Sequence, residues 1–445
     1  MQIMKKTILT LRKSLIPSKN ESSSIKKIAD LSFDLIQNEA KKFPEVIGIE
    51  FGGSYAKGTW LSKEADIDIF IKFKKSTTDK KFEEISKKIG FDSMKKFKPY
   101  VRYSEHPYVE AKIQGIKINV VPCFEVELGQ WKSAADRSPF HTKFMQETLS
   151  SKMKDEVRFL KTFLKSTGVY GAEIARQGFS GYVSEVLIVN FGTFENVIKS
   201  ISKINENQII GKTTKKFDTS IVIIDPIDEN RNLAAAISNE NIGKFVLSCR
   251  AFRDDPSEKF FNVLKRRSPK NWENVLVVRF DFKMRSPDII WGQIKRTTSS
   301  LTTQLDLGGF NVLRSLCYTD EKKEAYLFFL LESPIIPKMH TKKGPEVFRE
   351  NASKSFIKKN ISTTKLMWVD NNSKIISLEK RKHNEAVKYV SDYLKNNLQT
   401  GIPKGLQDDL KKGFKVSLGD KNLKKSIKEA ALDLILTNEK IFYSN

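Results

Sequence analysis

The chain is long and strongly basic. Its 445 residues exceed one ordinary domain core and predict roughly three domains, at about 100 to 200 residues each. This length excludes a mini-protein that depends on disulfides or a metal for its stability. With 78 Lys and Arg against 53 Asp and Glu, the net charge of +25 favours a polyanionic partner such as nucleic acid, although a lysine-rich, solvated surface would give the same balance.

Three cysteines lie far apart in the sequence, at Cys123, Cys249 and Cys317. No C-x-x-C pair or His cluster accompanies them, which argues against a disulfide framework and a structural zinc site and favours a reducing compartment. The basic N-terminal stretch lacks an apolar core with a small-residue cleavage site, and no run of about 18 apolar residues occurs. We therefore expect a soluble, cytoplasmic protein with no membrane partner.

In chain order, the predicted elements begin with an amphipathic helix over 24–42, where apolar residues recur at spacings of three and four. VIGIEFGGS (46–54) predicts a short buried strand that ends in a glycine turn. DIDIFIKF (66–73) alternates as a second strand, and a lysine-rich, solvated helix follows it. YVEAKIQGIKINVVPCF (108–124) divides at Gln114-Gly115 into the two strands of a hairpin.

From residue 150 onward the pattern is mainly helical. The stretch KMKDEVRFLKTFLKSTGVYG (152–171) carries an apolar stripe beside a basic one, which is either the wet face of a helix or a phosphate-binding surface. The basic stripe consists of Lys154, Arg158, Lys161 and Lys165. A change of composition at KRRSPKNWENV (265–275) predicts a domain boundary, and the alternating strands and helices after it predict a small α+β sandwich.

Asp66 and Asp68 are the strongest chemical signal. Residues i and i+2 of a strand share a face, so the two carboxylates point the same way, about 6 to 7 Å apart along the strand. That spacing lets them converge on a pair of divalent ions about 3.5 to 4 Å apart. Magnesium suits such a site because it takes one or two protein carboxylates and completes its shell with phosphates and water.

A small-residue turn precedes these carboxylates. Gly52, Gly53 and Ser54 stand where a strand passes into a short helix, and their backbone N–H groups and hydroxyl can bind a phosphate. Lys57 adds a positive charge one turn later. The combined pattern G-G-S-x-A-x-G-T followed by D-x-D is far more specific than either part, and it predicts a joint phosphate and metal site.

This stretch resembles the polymerase-beta-type nucleotidyltransferase superfamily, whose members transfer a nucleotide from a triphosphate to a hydroxyl and release pyrophosphate. Within it, the chain is similar to archaeal-type (class I) CCA-adding enzymes, a family of tRNA nucleotidyltransferases. The similarity extends from about residue 24 to about 350 through the segments NVVPCFEV, DRSPFHTKFM, RFLKTFLKSTGVYGAEI, GFSGYVSEVLI, DPIDENRNLAAAIS and IIWGQIKR.

The resemblance implies an α+β multidomain protein. Its polymerase-beta-like nucleotidyltransferase head would combine a mixed sheet with helices, and a mostly helical neck, a body and an α+β tail would follow. The predicted segments are the catalytic head at 1–148, the nucleotide-selecting neck at 149–268, the tRNA-binding α+β tail and body at 269–375, and a mainly helical C-terminal body at 376–445.

The resemblance also implies roles for single residues. Asp66 and Asp68 match the first two metal-binding carboxylates, and Ser54 and Lys57 match positions that hold the phosphates of the incoming nucleotide. The further matches are His141, Lys161 and Tyr170 for triphosphate and sugar contacts, and Arg231 for the neck arginine that helps to select cytosine and then adenine. Independently of the family, Lys161 lies in the basic stripe, whereas His141 would otherwise be a surface residue and Tyr170 a packed aromatic.

Asn119 departs from the family pattern, because the resembling enzymes carry a third catalytic carboxylate at this position. An asparagine oxygen can coordinate a hard cation, but it carries no charge and cannot act as a base. Three explanations stay open: a natural variant that works with Asn119, an inactivated form made to trap substrates, or a binding protein that no longer catalyses. In the first, Glu110 across the hairpin could supply charge; otherwise Glu110 is expected to be a solvated strand residue.

The resemblance implies that the protein uses two Mg²⁺ ions, CTP and ATP to add C, C and A to the 3′ end of tRNA without a nucleic-acid template. Its partner would be the acceptor stem and 3′ end of tRNA, recognised by backbone and shape because the deep groove of A-form RNA cannot be read; no DNA is expected. The alternatives are a catalytically inactive tRNA- and nucleotide-binding relative, and another template-independent polymerase such as a poly(A) polymerase.

Overall fold

The structure is a computed structural model that describes residues 10–11, 15–103, 106–262 and 271–442. Its internal contacts divide the chain into two units, Met1–Lys265 with Asn438–Asn445 and Arg266–Thr437. The predicted boundary between 268 and 269 lies outside the described residues. No helix in the described ranges is long and apolar enough to cross a membrane.

The first unit contains a five-stranded mixed sheet in the order β1-β2-β5-β4-β3. Strands β2 and β5 are parallel, and the other neighbours are antiparallel. The strands are β1 (Val46–Gly52), β2 (Asp66–Phe73), β3 (Tyr100–Tyr103), β4 (Pro107–Ile113) and β5 (Ile116–Phe124). The helices of this part are α1 (Lys19–Ala40), α2 (Gly53–Lys57) and α3 (Asp79–Met94).

The alternation of side chains along β2 gives the sheet one apolar and one polar face. Ile67, Ile69 and Ile71 are fully buried and belong to one core with apolar residues of α1 and α3. Asp66 and Asp68 alternate with them along the strand and therefore point to the opposite face. Because α1 and α3 cover the apolar face, the other face stays available for polar side chains.

The rest of the first unit is mainly helical, with one small sheet in the order β6-β7-β8. Its helices are α4 (Arg137–Thr148), α5 (Ser151–Ser166), α6 (Gly181–Phe191), α7 (Phe194–Ile201), α8 (Asn239–Asp254) and, at the C-terminal end, α14 (Glu439–Phe442). Its strands are β6 (Gln208–Ile210), β7 (Ile221–Asp225) and β8 (Asp228–Asn232). Serine residues cap α5, α6 and α8, each accepting a hydrogen bond from a backbone N–H of the first turn.

A cluster of phenylalanines holds these helices together, and Phe163 lies among them. Its ring centroid is 5.6 Å from those of Phe194 and Phe252 and 5.9 Å from that of Phe260. We expect Phe163→Ala to lower the free energy of unfolding by about 3 to 5 kcal/mol, because it leaves a cavity in a fully buried cluster. Urea denaturation followed by circular dichroism measures the effect. The exposed Leu128→Ala serves as the control, and equal transition midpoints for the two variants would contradict the expectation.

The second unit contains an antiparallel sheet in the order β10-β11-β9-β15 and a three-stranded sheet in the order β12-β14-β13. The strands are β9 (Val275–Asp281), β10 (Val312–Thr319), β11 (Glu324–Leu331), β12 (Met339–Glu346), β13 (Thr364–Val369), β14 (Lys374–Lys380) and β15 (Phe414–Leu418). The helices are α9 (Pro287–Gly308), α10 (Glu350–Asn360), α11 (Ala386–Asn396), α12 (Lys404–Lys412) and α13 (Lys425–Ile435). Strand β15 pairs with β9, so the segment 376–445 shares a sheet with the segment before it.

Candidate active site

Two carboxylates, an amide and an ammonium group meet on the polar face of the first sheet. The parallel register of β2 and β5 places Asp66 opposite Lys117 and Asp68 opposite Asn119. The Nδ2 atom of Asn119 donates a hydrogen bond to Oδ1 of Asp68 at 2.8 Å. The Nζ atom of Lys117 lies 3.5 Å from Oδ2 of Asp66. The tertiary fold thus joins Asn119 to a carboxylate 51 residues earlier in the chain.

The predicted glycine turn has a steric reason. Gly53, the first residue of α2, has φ of +61°, and a Cβ atom there would lie 1.7 Å from Oδ2 of Asp68. Glycine allows both the left-handed backbone and this close approach. The start of α2, including Ser54, is therefore held beside Asp68.

Burial changes the acid–base properties of the two carboxylates. It raises the pKa of Asp66, and Lys117 offsets part of that shift. Burial also raises the pKa of Asp68, while the hydrogen bond from Asn119 opposes the shift and the charge of Asp66 adds to it. A cation placed against these groups would relieve both effects, since it stabilises the charged form of each carboxylate.

The oxygen atoms of this face fit a divalent cation. Within the described residues, no three His, Cys, Asp or Glu side chains form a group that could hold a metal ion. However, the Oδ1 atom of Asn119 is buried and has no hydrogen-bond partner in the described chain, so a third oxygen stands next to the carboxylates. Asp66, Asp68 and Asn119 together offer the carboxylate and carbonyl oxygens that hard cations prefer.

Glu110 is not the solvated strand residue expected from its sequence context. It pairs with Asn119 in the β4–β5 register, as the hairpin predicts. Its side chain is nevertheless buried, accepts a hydrogen bond from the hydroxyl of Tyr100, and lies 3.2 Å from Nε of Arg102. The alternation pattern could not reveal this burial, because β3 pairs with β4 only in the folded sheet. The charge of Glu110 is thus already bound by Tyr100 and Arg102.

A cavity of about 460 Å³ opens beside the carboxylates. Its lining includes four of the predicted site residues: Ser54, Asp66, Lys161 and Tyr170. Lys165 of the basic stripe also lines it, together with Lys63 and Lys117, which no motif singled out for this role. Several ammonium groups beside a carboxylate pair suit a ligand that carries phosphates and a metal ion.

Lys57 and Lys161 meet at a buried carboxylate that the sequence analysis missed, Glu185. Its Oε2 atom lies 2.5 Å from Nζ of Lys57, and its Oε1 atom lies 3.1 Å from Nζ of Lys161. Burial alone would raise the pKa of Glu185, but the two lysines outweigh it and lower the pKa to about 2. The available signal was that Glu185 is the single charged residue of the mostly apolar segment GYVSEVLIVNF.

His141 and Arg231 meet at another missed carboxylate, Asp225, whose side chain is fully buried. Oδ2 of Asp225 lies 3.0 Å from Nε2 of His141 and 2.8 Å from Nη1 of Arg231. The hydroxyl of Tyr182 donates to Oδ1 of Asp225, and its ring stacks on His141 at 3.8 Å. Burial lowers the pKa of His141 despite Asp225, so at neutral pH the imidazole is uncharged and Nε2–H donates to Asp225.

The predicted site residues therefore form three neighbouring groups in the first unit. The metal-binding candidates Asp66, Asp68 and Asn119 share one sheet face. Ser54, Lys161 and Tyr170, which are most of the phosphate-binding candidates, line the cavity. His141 and the base-selecting candidate Arg231 both contact Asp225. Lys57 is not one of the described residues that line the cavity, because its ammonium faces Glu185 instead.

Three family models match successive parts of the chain. They describe a nucleotidyltransferase domain (residues 34–141), the second domain of a tRNA nucleotidyltransferase (155–262) and the C-terminal domain of a CCA-adding enzyme (273–419). The CCA-adding enzyme of Pyrobaculum islandicum is 32% identical over 405 residues, which are 90% of this chain and 95% of that protein. The chain belongs to the CCA-adding enzyme family.

Other archaeal CCA-adding enzymes are similar over comparable lengths. That of Saccharolobus shibatae is 33% identical over 378 residues, 84% of this chain and 88% of that protein. That of Methanothermobacter thermautotrophicus is 29% identical over 433 residues, 94% of each chain. These relatives confirm the resemblance inferred from the motifs, and the match to the nucleotidyltransferase domain confirms the predicted polymerase-beta-like α+β fold. A CCA-adding enzyme of this fold uses nucleoside triphosphates and a divalent metal.

Proposed function

We propose that this chain is a cytoplasmic enzyme that adds C, C and A to the 3′ end of tRNA from CTP and ATP and releases pyrophosphate. The observation that carries the proposal is the lysine-lined cavity next to Asp66, with Asp68 and Asn119 on the same sheet face. This arrangement provides a place for a triphosphate directly beside oxygen ligands for a metal. The family membership supplies the choice of tRNA as the acceptor.

Asp66, Asp68 and the amide oxygen of Asn119 would hold the metal, which we propose to be Mg²⁺. When bound, the ions would lower the pKa of the terminal 3′-hydroxyl of the tRNA and neutralise charge on the triphosphate. Asn119 cannot accept the proton of that hydroxyl, because its amide is not a base. The part-buried pair of Asp68 and Asn119 therefore carries one negative charge where the resembling enzymes carry two.

Other residues of the chain would bind and orient the nucleotide. Lys161 lines the cavity with its ammonium group held by Thr59 and Glu185, and the hydroxyl of Ser54 can donate to a phosphate oxygen. Burial raises the pKa of Tyr170 well above its usual range, so its hydroxyl stays protonated and able to donate a hydrogen bond. Neutral His141 keeps Nδ1 as an acceptor for a sugar hydroxyl, since Nε2–H is engaged by Asp225.

Base selection would depend on Arg231. Its side chain is about one-third exposed, and its Nη1 atom donates a hydrogen bond to the buried Asp225. A guanidinium fixed at one nitrogen keeps its remaining N–H groups in a defined direction, which suits recognition of the acceptor oxygens and nitrogens of a base. We assign this selection to the predicted neck (149–268), nucleotidyl transfer to the predicted head (1–148), and recognition of the tRNA acceptor stem by backbone and shape to the segments 269–375 and 376–445.

The test is incubation of the purified protein with tRNA that ends before CCA. CTP and ATP are supplied singly and together with Mg²⁺, and the products are sequenced. The proposal expects two C residues with CTP alone and CCA with both nucleotides. Long A tails would indicate a poly(A) polymerase instead.

A second candidate is a protein that binds tRNA and nucleotides without catalysis. The hydrogen bond from Asn119 to Asp68 favours it, because that bond directs a donor, rather than an oxygen, at the carboxylate. No extension of the tRNA with Mg²⁺ or Mn²⁺, together with retained binding of tRNA and CTP, would support this candidate and overturn the first.

A further inference from the structure

Glu185 lies at the centre of a buried polar cluster built from three segments of the first unit. Its carboxylate accepts hydrogen bonds from Lys57 of α2 at 2.5 Å, from the hydroxyl of Thr59 at 2.6 Å, and from Lys161 of α5 at 3.1 Å. The side chains of Glu185, Lys161 and Lys57 are 1%, 2% and 8% exposed. A carboxylate this deeply buried stays charged only because opposite charges and hydrogen bonds offset its loss of hydration.

The two lysines of the cluster face different surroundings. Lys161 and Thr59 line the cavity, whereas Lys57 does not line it among the described residues. The ammonium of Lys57 instead lies between Glu185 and the ring of Tyr182, whose centroid is 5.5 Å away. Of the two lysines of this cluster, Lys161 is thus the one that borders the cavity.

We propose that Glu185 is a positioning residue that keeps Lys161 charged and oriented at the floor of the cavity, with Lys57 as the second cation that neutralises the Glu185 carboxylate. The inference rests on the nucleotide binding assigned to this cavity under the proposed function. Glu185, Lys57 and Lys161 together carry one net positive charge. Glu185 lies between two ammonium groups that would otherwise repel each other in a buried space.

The surroundings of Lys161 define how its charge depends on pH. Glu185 from α6 stabilises the ammonium form, whereas Lys57 from α2 and Arg158 on α5 oppose it. The other charged or titratable residues that line the same cavity are Lys63, Glu64, Asp66, Lys117, Lys165 and Tyr170. Burial lowers the pKa of Lys161 to about 8 despite the attraction of Glu185. Removal of Glu185 must lower this pKa further, and removal of Lys57 must raise it.

The experiment measures CTP affinity by calorimetry from about pH 7 to about pH 9.5, where the triphosphate is fully ionised because its last pKa is near 6. For the unaltered protein, affinity should fall as the pH rises through about 8, where Lys161 loses its charge. For Glu185→Gln the fall should move to lower pH by about one unit or more. Glu195→Gln, which removes a carboxylate paired with Lys199 on α7, is the matched control and should keep the midpoint of the unaltered protein.

Lys57→Met separates the two roles of Lys57. As a counter-charge, its loss removes a neighbouring cation from Lys161, so the midpoint should move to higher pH. A direct contact of Lys57 with phosphate would add a loss of affinity of about 10-fold or more at every pH, and it would not reverse the direction of this shift. Opposite shifts for Glu185→Gln and Lys57→Met support the inference, and an unmoved midpoint in either variant overturns it.

Thr59→Val provides a second route if Glu185→Gln does not fold. This nearly isosteric change removes the hydroxyl that donates to Glu185 and accepts from Lys161 at 3.0 Å. It should shift the midpoint to lower pH, by less than Glu185→Gln, and an unmoved midpoint would again overturn the inference. Since the readout is CTP binding, failure of CCA addition with the shifts intact would contradict the proposed function and not the role of Glu185.

Discussion

Asn119→Asp is expected to raise the rate of CTP incorporation into tRNA by about 10- to 100-fold, the range by which changes around a metal site commonly alter affinity or activity. The substitution replaces the Nδ2 donor that now binds Asp68 with a second carboxylate oxygen. The new carboxylate carries a negative charge. Its other oxygen takes the place of Oδ1 of Asn119, which is buried and has no hydrogen-bond partner among the described residues. Incorporation of labelled CTP into tRNA lacking CCA measures the change.

Two further measurements identify the cause of this gain. Binding of Mn²⁺, followed by its electron spin resonance signal, should strengthen in Asn119→Asp, because a carboxylate is a better ligand for hard cations than an amide. Asn119→Ala also releases Asp68 but adds no charge, and it should not gain activity. Equal incorporation by Asn119→Asp and the unaltered protein would show that this position does not limit catalysis.

Gly53→Ala is expected to lower CTP incorporation by about 100-fold, which is the cost of misplacing reacting groups by about 1 Å. The new Cβ atom would lie 1.7 Å from Oδ2 of Asp68, in a backbone conformation with φ of +61°. Either Asp68 or the start of α2 must move. Steady-state kinetics should show the loss mainly in kcat, since the lysines of the cavity remain in place.

Gly48→Ala is the control for this change. Gly48 lies on β1 of the same sheet, and a Cβ atom there would meet nothing within 4 Å. It should keep the activity of the unaltered protein. If both alanine variants lose activity equally, the contact between Gly53 and Asp68 is not the cause.

Much of the local structure could be predicted from the sequence. The predicted helix at 24–42 corresponds to α1 at Lys19–Ala40, and DIDIFIKF coincides with β2. The hairpin turn at Gln114 and Gly115 is confirmed by their positive φ angles of 49° and 85°. These features depend on side-chain periodicity and on local backbone preferences, so a short window of sequence contains the information.

Other features could not be predicted because they depend on long-range packing. The strand at Phe414–Leu418 joins the sheet of β9 across more than a hundred residues, and a mainly helical segment gave no sign of that pairing. Glu110 is buried because β3 lies beside it. Asp225 collects His141 and Arg231 from distant positions, and no spacing in the sequence links the three residues.

The sequence by itself determined the class of chemistry, since the turn at Gly53 and the carboxylates Asp66 and Asp68 lie within one short stretch and are related by strand periodicity. It also identified Asn119 as the position where the family pattern breaks. Only the tertiary structure decided what these groups touch. The resemblance assigns Lys57 to the phosphates of the nucleotide, and the fold places its ammonium against Glu185, 128 residues away in the chain. A buried charge pairs with whatever opposite charge the fold brings to it, and that partner is set by packing rather than by distance along the sequence.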